Sequence, residues 1–458
     1  MQRRDFLTSV LLGGPLARFC AGVDEVPLRI ATFEADVTPP LGAPLCHGNV
    51  TPAKKILDPL SARGIILFAK DGPIVLCAFD WTGISNAGQD VVRDALAKAV
   101  GTSRDRVAAH TVHQHNAPGI DFSTEELLAN HGMSGSMFDV AAANDAIKRV
   151  AKAAGEAANK PRRVTHVGCG MGKVEKVACT RRVLNPDGTL RFWRSSSGGT
   201  KEKKAAPEGL IDPYVRLLSF WDGDRPLASL TYYACHPCAL YGRGGVSSEI
   251  MGLARAARQD ALPDVAHVHF NGAGGDIAVG KYNDNTLATR SRLAKRLAAG
   301  MKIAWETQKK TPVAAADVSW QVRPVLLPVK KSYNEAKLLR KLESTKARAY
   351  SRREAARQLA WLRHMKAGRH IDLACLWIGP ACVLHMPGEL FVAYQLAAQK
   401  MRPDKFVCMA AYGEDGMTYI GTKSEYPKGG YEVGRSRVAP EVEDVLMPAI
   451  AKLLEVSK

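Results

Sequence analysis

Five times along the chain, an apolar run of strand length stops at a turn that carries histidine, aspartate, glutamate or tyrosine. This punctuation constrains the fold more than any single motif, because a polar, chemistry-bearing residue at a strand end belongs to a site built from several strands rather than to a surface loop. The first such stretch is 107–119, V-A-A-H-T-V-H-Q-H-N-A-P-G, which delivers His110, His113 and His115 into a Pro-Gly turn. In an extended strand end, side chains alternate with period two, so His113 and His115 are expected on one face, where a metal and a proton-transfer group could sit side by side. The same pair also fits a satisfied core. Further ligands from distant segments decide between these readings. The other four stretches offer them: 232–241 (Y-Y-A-C-H-P-C-A-L-Y) brings His236, and 270–284 (F-N-G-A-G-G-D-I-A-V-G-K-Y-N-D) a glycine-rich turn. Residues 385–390 (H-M-P-G-E-L) put Glu389 at an expected helix N-terminus, and 419–432 (Y-I-G-T-K-S-E-Y-P-K-G-G-Y-E) carries Tyr419 and Tyr431.

Around these turns, hydrophobic periodicity predicts strands at 27–37, 62–68, 74–79, 107–111, 163–168, 174–179, 190–193, 215–221, 228–234, 265–270, 317–329 and 375–385. Helices are predicted at 90–100, 138–160, 251–261, 285–307, 388–399 and 440–454. The 196–206 segment reads as a polar loop. No sequence repeat and no linker divides the chain, so the expectation is an α/β fold in one large layered domain over 26–458, mixed β-sheets flanked by helices. A length of 458 residues suits a large core.

Charge narrows the partners. The chain carries 63 Lys and Arg against 45 Asp and Glu, a net +18, which favours acidic partners such as anionic membrane surfaces, polysaccharide or nucleic acid. Much of the excess lies in 330–369, where thirteen Lys or Arg face only Glu335, Glu343 and Glu354. Aromatic residues for base stacking are sparse there, so nucleic acid is not expected, and the segment at about 330–370 reads as a basic, solvated helical insertion projecting from the domain. Ten cysteines in a chain of this length form neither a disulfide framework nor a zinc ribbon; Cys235 and Cys238 make a single C-x-x-C with no second pair. The glycine-rich turn lacks both G-x-G-x-x-G and a Gly-Lys-Ser/Thr, which argues against a nucleotide. At the N-terminus, Arg3-Arg4 followed by Phe6-Leu7 and a short apolar stretch read as a twin-arginine export signal over 1–25, hence a periplasmic or extracellular protein. Oligomeric state is not legible.

Taken in order, short motifs from about 28 to 435 resemble the neutral/alkaline (non-lysosomal) ceramidase family in its N-terminal catalytic domain. These are Asp36-Val37-Thr38-Pro39-Pro40-Leu41-Gly42, His113-Gln114-His115-Asn116-Ala117-Pro118-Gly119, His236-Pro237, Gly274-Gly275-Asp276-Ile277, Pro387-Gly388-Glu389, and Tyr419-Ile420 with Thr422, Tyr431 and Glu432. The resemblance implies a hydrolase holding Zn2+ through His113, His236, Glu389 and Tyr419, an N/O donor set consistent with a catalytic zinc. It implies His115 as general base and then acid, and Tyr431 with Arg181 as donors to an oxyanion; Arg182, adjacent, is the other candidate for that role. The reaction implied is cleavage of an N-acyl bond in a ceramide-like lipid, another N-acylated lipid or a sugar. An esterase, an amidase for a small polar substrate, and a non-catalytic metal-containing protein binding acidic glycan or lipid surfaces remain as alternatives.

The sequence departs from the family in four places. The serine of its G-D-V-S segment is Ala278, which rules out a covalent serine there. Glu249 replaces an aspartate, His47 stands where an aromatic is common, and the C-terminal β-sandwich of longer members is expected to be absent. His110 is left in its strand as a structural residue.

Overall fold

A computed structural model describes residues 27–456, so the export signal read at 1–25 lies outside the described residues. Three mixed sheets carry the fold, and they share one topology. The first runs Val107–Thr111, Gly72–Phe79, Ser61–Ala69, Arg29–Asp36 and Arg162–Arg163. The second runs Ala266–Asn271, Arg225–Tyr233, Tyr214–Asp222, His166–Lys173 and Lys309–Pro312. The third runs Val318–Val325, Ile371–Ile378, Ala381–His385 and Phe406–Ala410. In each, three strands pair antiparallel in sequence order, and a helix then carries the chain to a fourth strand parallel to the third. Those crossover helices are Ala87–Val100, Glu249–Ala261 and Val392–Met401. A parallel neighbour requires such a crossover, since a tight turn can only reverse the chain. The sequence shows no repeat, yet the architecture repeats three times.

Strand alternation explains the layering. In Ser61–Ala69, Ile65 and Leu67 point into a central core shared by all three sheets, while Ala62 and Ile66 point beneath the helices on the outer face. The third sheet does the same: Leu376 and Ile378 enter the central core, and Leu373 and Cys375 pack under Val442–Leu453 and Val392–Met401. The mixed α/β class expected from periodicity is the observed one. Among the described residues, no helix is long and apolar enough to cross a membrane.

Several local expectations fail for identifiable reasons. Residues 174–178 are not a strand; His166–Lys173 holds the sheet position instead, pairing with Tyr214–Asp222 on one side and Lys309–Pro312 on the other. The apolar run 375–385 is a hairpin, Ile371–Ile378 and Ala381–His385, turned at Gly379 with φ +52°. Residues 201–205 of the polar loop form a short helix capped by Thr200. The largest correction concerns 330–370. Its helices, Glu335–Glu343 and Ala349–Lys366, do not project into solvent. Leu338, Leu342, Ala355, Ala356, Leu359 and Leu362 join the core beneath the first sheet, and Trp361 and Met365 join the core of the third. A charge count along the segment hides this, because most of the long basic side chains leave by the outer face, Arg357 being buried instead, while the small and apolar residues repeat at helical spacing.

Candidate active site

The site lies where the carboxyl ends of strands from all three repeats converge, the usual location of a crevice in sheets with parallel strands. His113 follows Val107–Thr111. It does not sit at an extended strand end: its φ is +72°, its backbone N donates to the Trp81 carbonyl (2.9 Å), and its Nδ1 donates to the Thr82 carbonyl (2.6 Å). The period-two argument therefore does not explain why His113 and His115 lie together; a left-handed turn does. His236 follows Arg225–Tyr233, with its backbone N on the Ile277 carbonyl (2.9 Å) and its Nδ1 on the Gly274 carbonyl (2.8 Å). Both rings are thus held in the tautomer that leaves Nε2 bare.

Glu389 is not a helix N-terminal residue. Glu389–Leu390 is a two-residue strand parallel to Tyr419–Ile420, with Glu389 opposite Tyr419, and the helix begins at Val392. Gly275 is required here. A Cβ on it would stand 2.2 Å from the Glu389 carbonyl oxygen, so only glycine lets the glycine-rich turn of the second repeat lie against this strand.

The side chains then converge. Glu389 Oε2 is 3.3 Å from His113 Nε2 and 3.1 Å from His236 Nε2, makes no hydrogen bond of its own, and is buried. The Tyr419 hydroxyl is 3.5 Å from His236 Nε2 and accepts from Arg181 Nη1 at 3.0 Å. Burial pushes the Glu389 carboxyl up, but His113 and His236 prevail and hold it well below the ordinary range. Burial raises the Tyr419 phenol, against the pull of Arg181. His115 completes a triad of imidazoles with His113 and His236, their donor atoms within 4.8 Å of one another. Unlike those two, it makes no hydrogen bond, and its buried Nδ1 has no partner. Burial, then the charges of His113 and His236, lower its pKa well below that of a free imidazole, so it is unprotonated at neutral pH.

The cavity above these groups has a volume of about 370 Å³. Arg181 lines it, its guanidinium 5.3 Å from the Tyr431 ring centroid and its Nε 3.0 Å from Glu432. Arg182 turns away to Glu425 (2.9 Å) and Glu432 (3.3 Å) and does not reach the cavity. Tyr431 stands at the rim, 42% exposed, its ring 5.0 Å from Trp193. Ala278 is fully buried, opposite Cys179 and bridged to His236, so this position shapes the His236 strand. Glu249 lies behind the site, where its two carboxylate oxygens accept from the Ala239 and Leu240 backbone N–H groups at 2.9 Å each. His47 lines the cavity, 3.9 Å from Asp415. His110 bonds the Ala411 carbonyl and His385 and stays outside this cavity, as a structural residue does. Cys235 and Cys238 are free and buried.

Sequence reading missed Asp415, whose carboxylate falls within 4.8 Å of the His113 and Glu389 donor atoms and which burial pushes up to about 7. Its signal was available: G-E-D-G at 413–416 follows an apolar strand in the same manner as the other site turns. It also missed Glu354, Arg357 and Arg437, which enter the cavity from the supposed appendage and from the segment that follows Tyr431–Arg435. Non-glycine residues with positive φ line the cavity, at Cys46, His47, His113 and Thr418. Such strain persists where surrounding structure fixes a functional geometry.

Fold and donor set define the class: a mixed α/β protein of three like sheets, with a buried imidazole, carboxylate and phenol cluster at their shared strand ends. No protein-family model matches the chain, and no curated protein matches it in sequence. Solved structures do match it, two of them ceramidases. One, described as a ceramidase complexed with C2, aligns with a TM-score of 0.68 at 17% identity over 94% of this chain and 74% of that one. The other, neutral ceramidase from Pseudomonas aeruginosa, aligns with a TM-score of 0.67 at 18% identity over the same shares, 94% and 74%. The chain has the fold of these ceramidases, so the resemblance carried by the ordered motifs extends to the architecture.

Proposed function

We propose that the protein is a zinc-dependent amidase that cleaves an N-acyl bond, in a ceramide-like substrate or another N-acylated lipid or sugar. One observation carries this reading: two imidazole Nε2 atoms, each bared by a backbone acceptor on Nδ1, converge within 3.3 Å on one buried carboxylate oxygen that has no hydrogen bond. Left to itself, such a cluster is a poor use of buried polar groups. With His113, His236 and Glu389 as holders, and Tyr419 beside them, it suits a borderline N/O-preferring cation. Arg181 supports the phenol in its ionised form. A zinc held there would supply Lewis acidity toward a carbonyl and toward water.

The chain's own residues do the rest. His115, neutral and unanchored, accepts the proton of the attacking water at a ring nitrogen and returns it to the departing amine nitrogen. Metal-holding histidines are ordinarily fixed through their second nitrogen, and His115 is not, which favours proton transfer over ligation. Arg181 and the Tyr431 hydroxyl at the rim, both lining the cavity, are donors for the oxygen that becomes negative as the carbonyl is attacked. With alanine at 278, no serine hydroxyl is available there, so attack by water is the route this chain supports. The proposal includes export through the Arg3-Arg4 leader and action at an anionic membrane or glycan surface. The test is zinc analysis of the purified protein with a panel of N-acyl and O-acyl substrates. Absence of zinc sinks the reading, and cleavage of esters alone replaces the amidase with an esterase.

A further inference from the structure

Arg357, on Ala349–Lys366, is 6% exposed and lines the cavity over the donor cluster. It makes no hydrogen bond among the described residues, and its buried Nε is without a partner. Among the described residues its one ion-pair partner is Glu354, with Oε2 3.7 Å from Arg357 Nη1. That carboxylate is already engaged, since Oε1 accepts from Arg437 Nη2 and from Gln358 Nε2, both at 3.0 Å. Arg437 is fully buried and has an unpartnered Nε of its own. Two buried guanidinium groups therefore share one carboxylate. The next acids, Asp415 and Asp121, do not redress the balance: neither forms an ion pair with these arginines among the described residues, Asp415 standing 3.9 Å from His47 with its Oδ1 unpartnered and Asp121 being taken up by Asn86 and Thr124.

A buried charge without a hydrogen-bonded counter-ion is unfavourable, and a protein retains one where a ligand completes it. The planar guanidinium fork matches a carboxylate or a phosphate, two oxygens to two N–H groups. Arg357 is also held on a packed helix next to Trp361, so its position is set by the core and not by a flexible loop. We propose that Arg357, backed by Arg437, forms an oxyanion-binding subsite, and that the amide this site takes carries a carboxylate or phosphate away from the scissile bond. The inference rests on the amidase reading for the word amide, and on the cavity alone for the anion.

Three probes sharing one acyl chain test it: N-lauroylglycine, N-lauroylethanolamine phosphate and N-lauroylethanolamine, titrated calorimetrically into the zinc-loaded full-length protein and also assayed for cleavage. At least one anionic probe should bind tenfold or more tightly than the neutral one, and which of them does so distinguishes carboxylate from phosphate. In Arg357→Gln that ratio should fall toward one. Arg357→Lys, which keeps the charge but not the fork, should lose at least a factor of three in the ratio, and this stands as the test if the glutamine variant fails to fold. Equal binding of all three probes by the wild-type protein, or an unchanged ratio in either folded variant, overturns the subsite. Preference without cleavage leaves the subsite standing and sinks the amidase; cleavage without preference does the reverse.

Discussion

Glu389 and Tyr419 stand opposite one another in a parallel pair of two-residue strands, so one short ladder fixes both a carboxylate and a phenol beside His236. The ladder is held through their neighbours, the Glu389 N–H donating to the Thr418 carbonyl at 2.9 Å and the Phe391 N–H to the Ile420 carbonyl at 3.0 Å. Replacing Glu389 with glutamine keeps the shape and removes the anion that the two imidazoles face. Zinc occupancy in Glu389→Gln is expected to fall below about a tenth of the wild-type level, with amide cleavage lost, because a neutral amide oxygen is a far weaker partner than a carboxylate for a divalent cation. Metal analysis after dialysis checks this, and full occupancy would remove Glu389 from the ligand set.

Tyr419→Phe separates ligand from bystander. If the phenol contributes to the cation, zinc affinity weakens by about tenfold or more, the scale on which ligand-supporting groups act. Competition with a chelator of known affinity reads the change. An unaltered affinity together with slower cleavage would instead make the Tyr419 hydroxyl an anchor for Arg181, to which it already hydrogen-bonds.

The segments that carry this site were legible because turns after apolar strands are visible in sequence, while the choice of His113, His236, Glu389 and Tyr419 as one set came from the resemblance. These four meet within one cluster. What the sequence could not display was pairing at long range. Glu389 read as a helix start because its strand partner, Tyr419, lies thirty positions on; the two-residue ladder has no periodicity of its own. Asp415 and Arg357 gain meaning only from convergence, and the threefold architecture is carried by connectivity, not by shared residues. The 330–370 segment misled because its charges outnumber its buried residues, although Ala355, Ala356, Leu359 and Leu362 alone trace a helical face.

His115→Ala should leave zinc in place and slow cleavage by about 10² to 10⁴-fold, the usual worth of a positioned acid–base group. The ring has no hydrogen bond to lose, so thermal stability should change little. Loss of zinc in this variant would turn His115 into a ligand, the role its proximity to His113 and His236 also permits.

Glu249 gives the fold a pH dependence of known sign. Burial raises its carboxyl from 4.5 to about 7, in spite of the two backbone N–H groups it accepts. Between those two pH values the native chain holds a proton that the unfolded chain has released, so stability falls as pH rises through this window and is level in this respect below and above it. The total from this one group is on the order of 3 kcal/mol. Glu249→Gln should flatten that slope in urea denaturation between pH 4.5 and 7.5. Parallel pH profiles for the two proteins would place the proton elsewhere.

The helices of 330–370 are part of the core, and Trp361 tests that statement most directly. Its ring is fully buried among residues of the third sheet's core, and its Nε1 donates to the Arg437 carbonyl at 3.2 Å. Trp361→Ala removes that contact, opens a cavity that neighbouring helices cannot readily close, and should destabilise the protein by about 3–5 kcal/mol. Because Arg437 and Arg357 flank the substrate cavity, cleavage should also fall at temperatures where the variant is still folded. Deletion of 333–366 exposes the apolar faces beneath the first and third sheets together, so it should abolish cooperative unfolding rather than merely weaken attachment to anionic vesicles. A deletion variant that kept a sharp thermal transition near the wild-type temperature would show that the segment is an appendage after all.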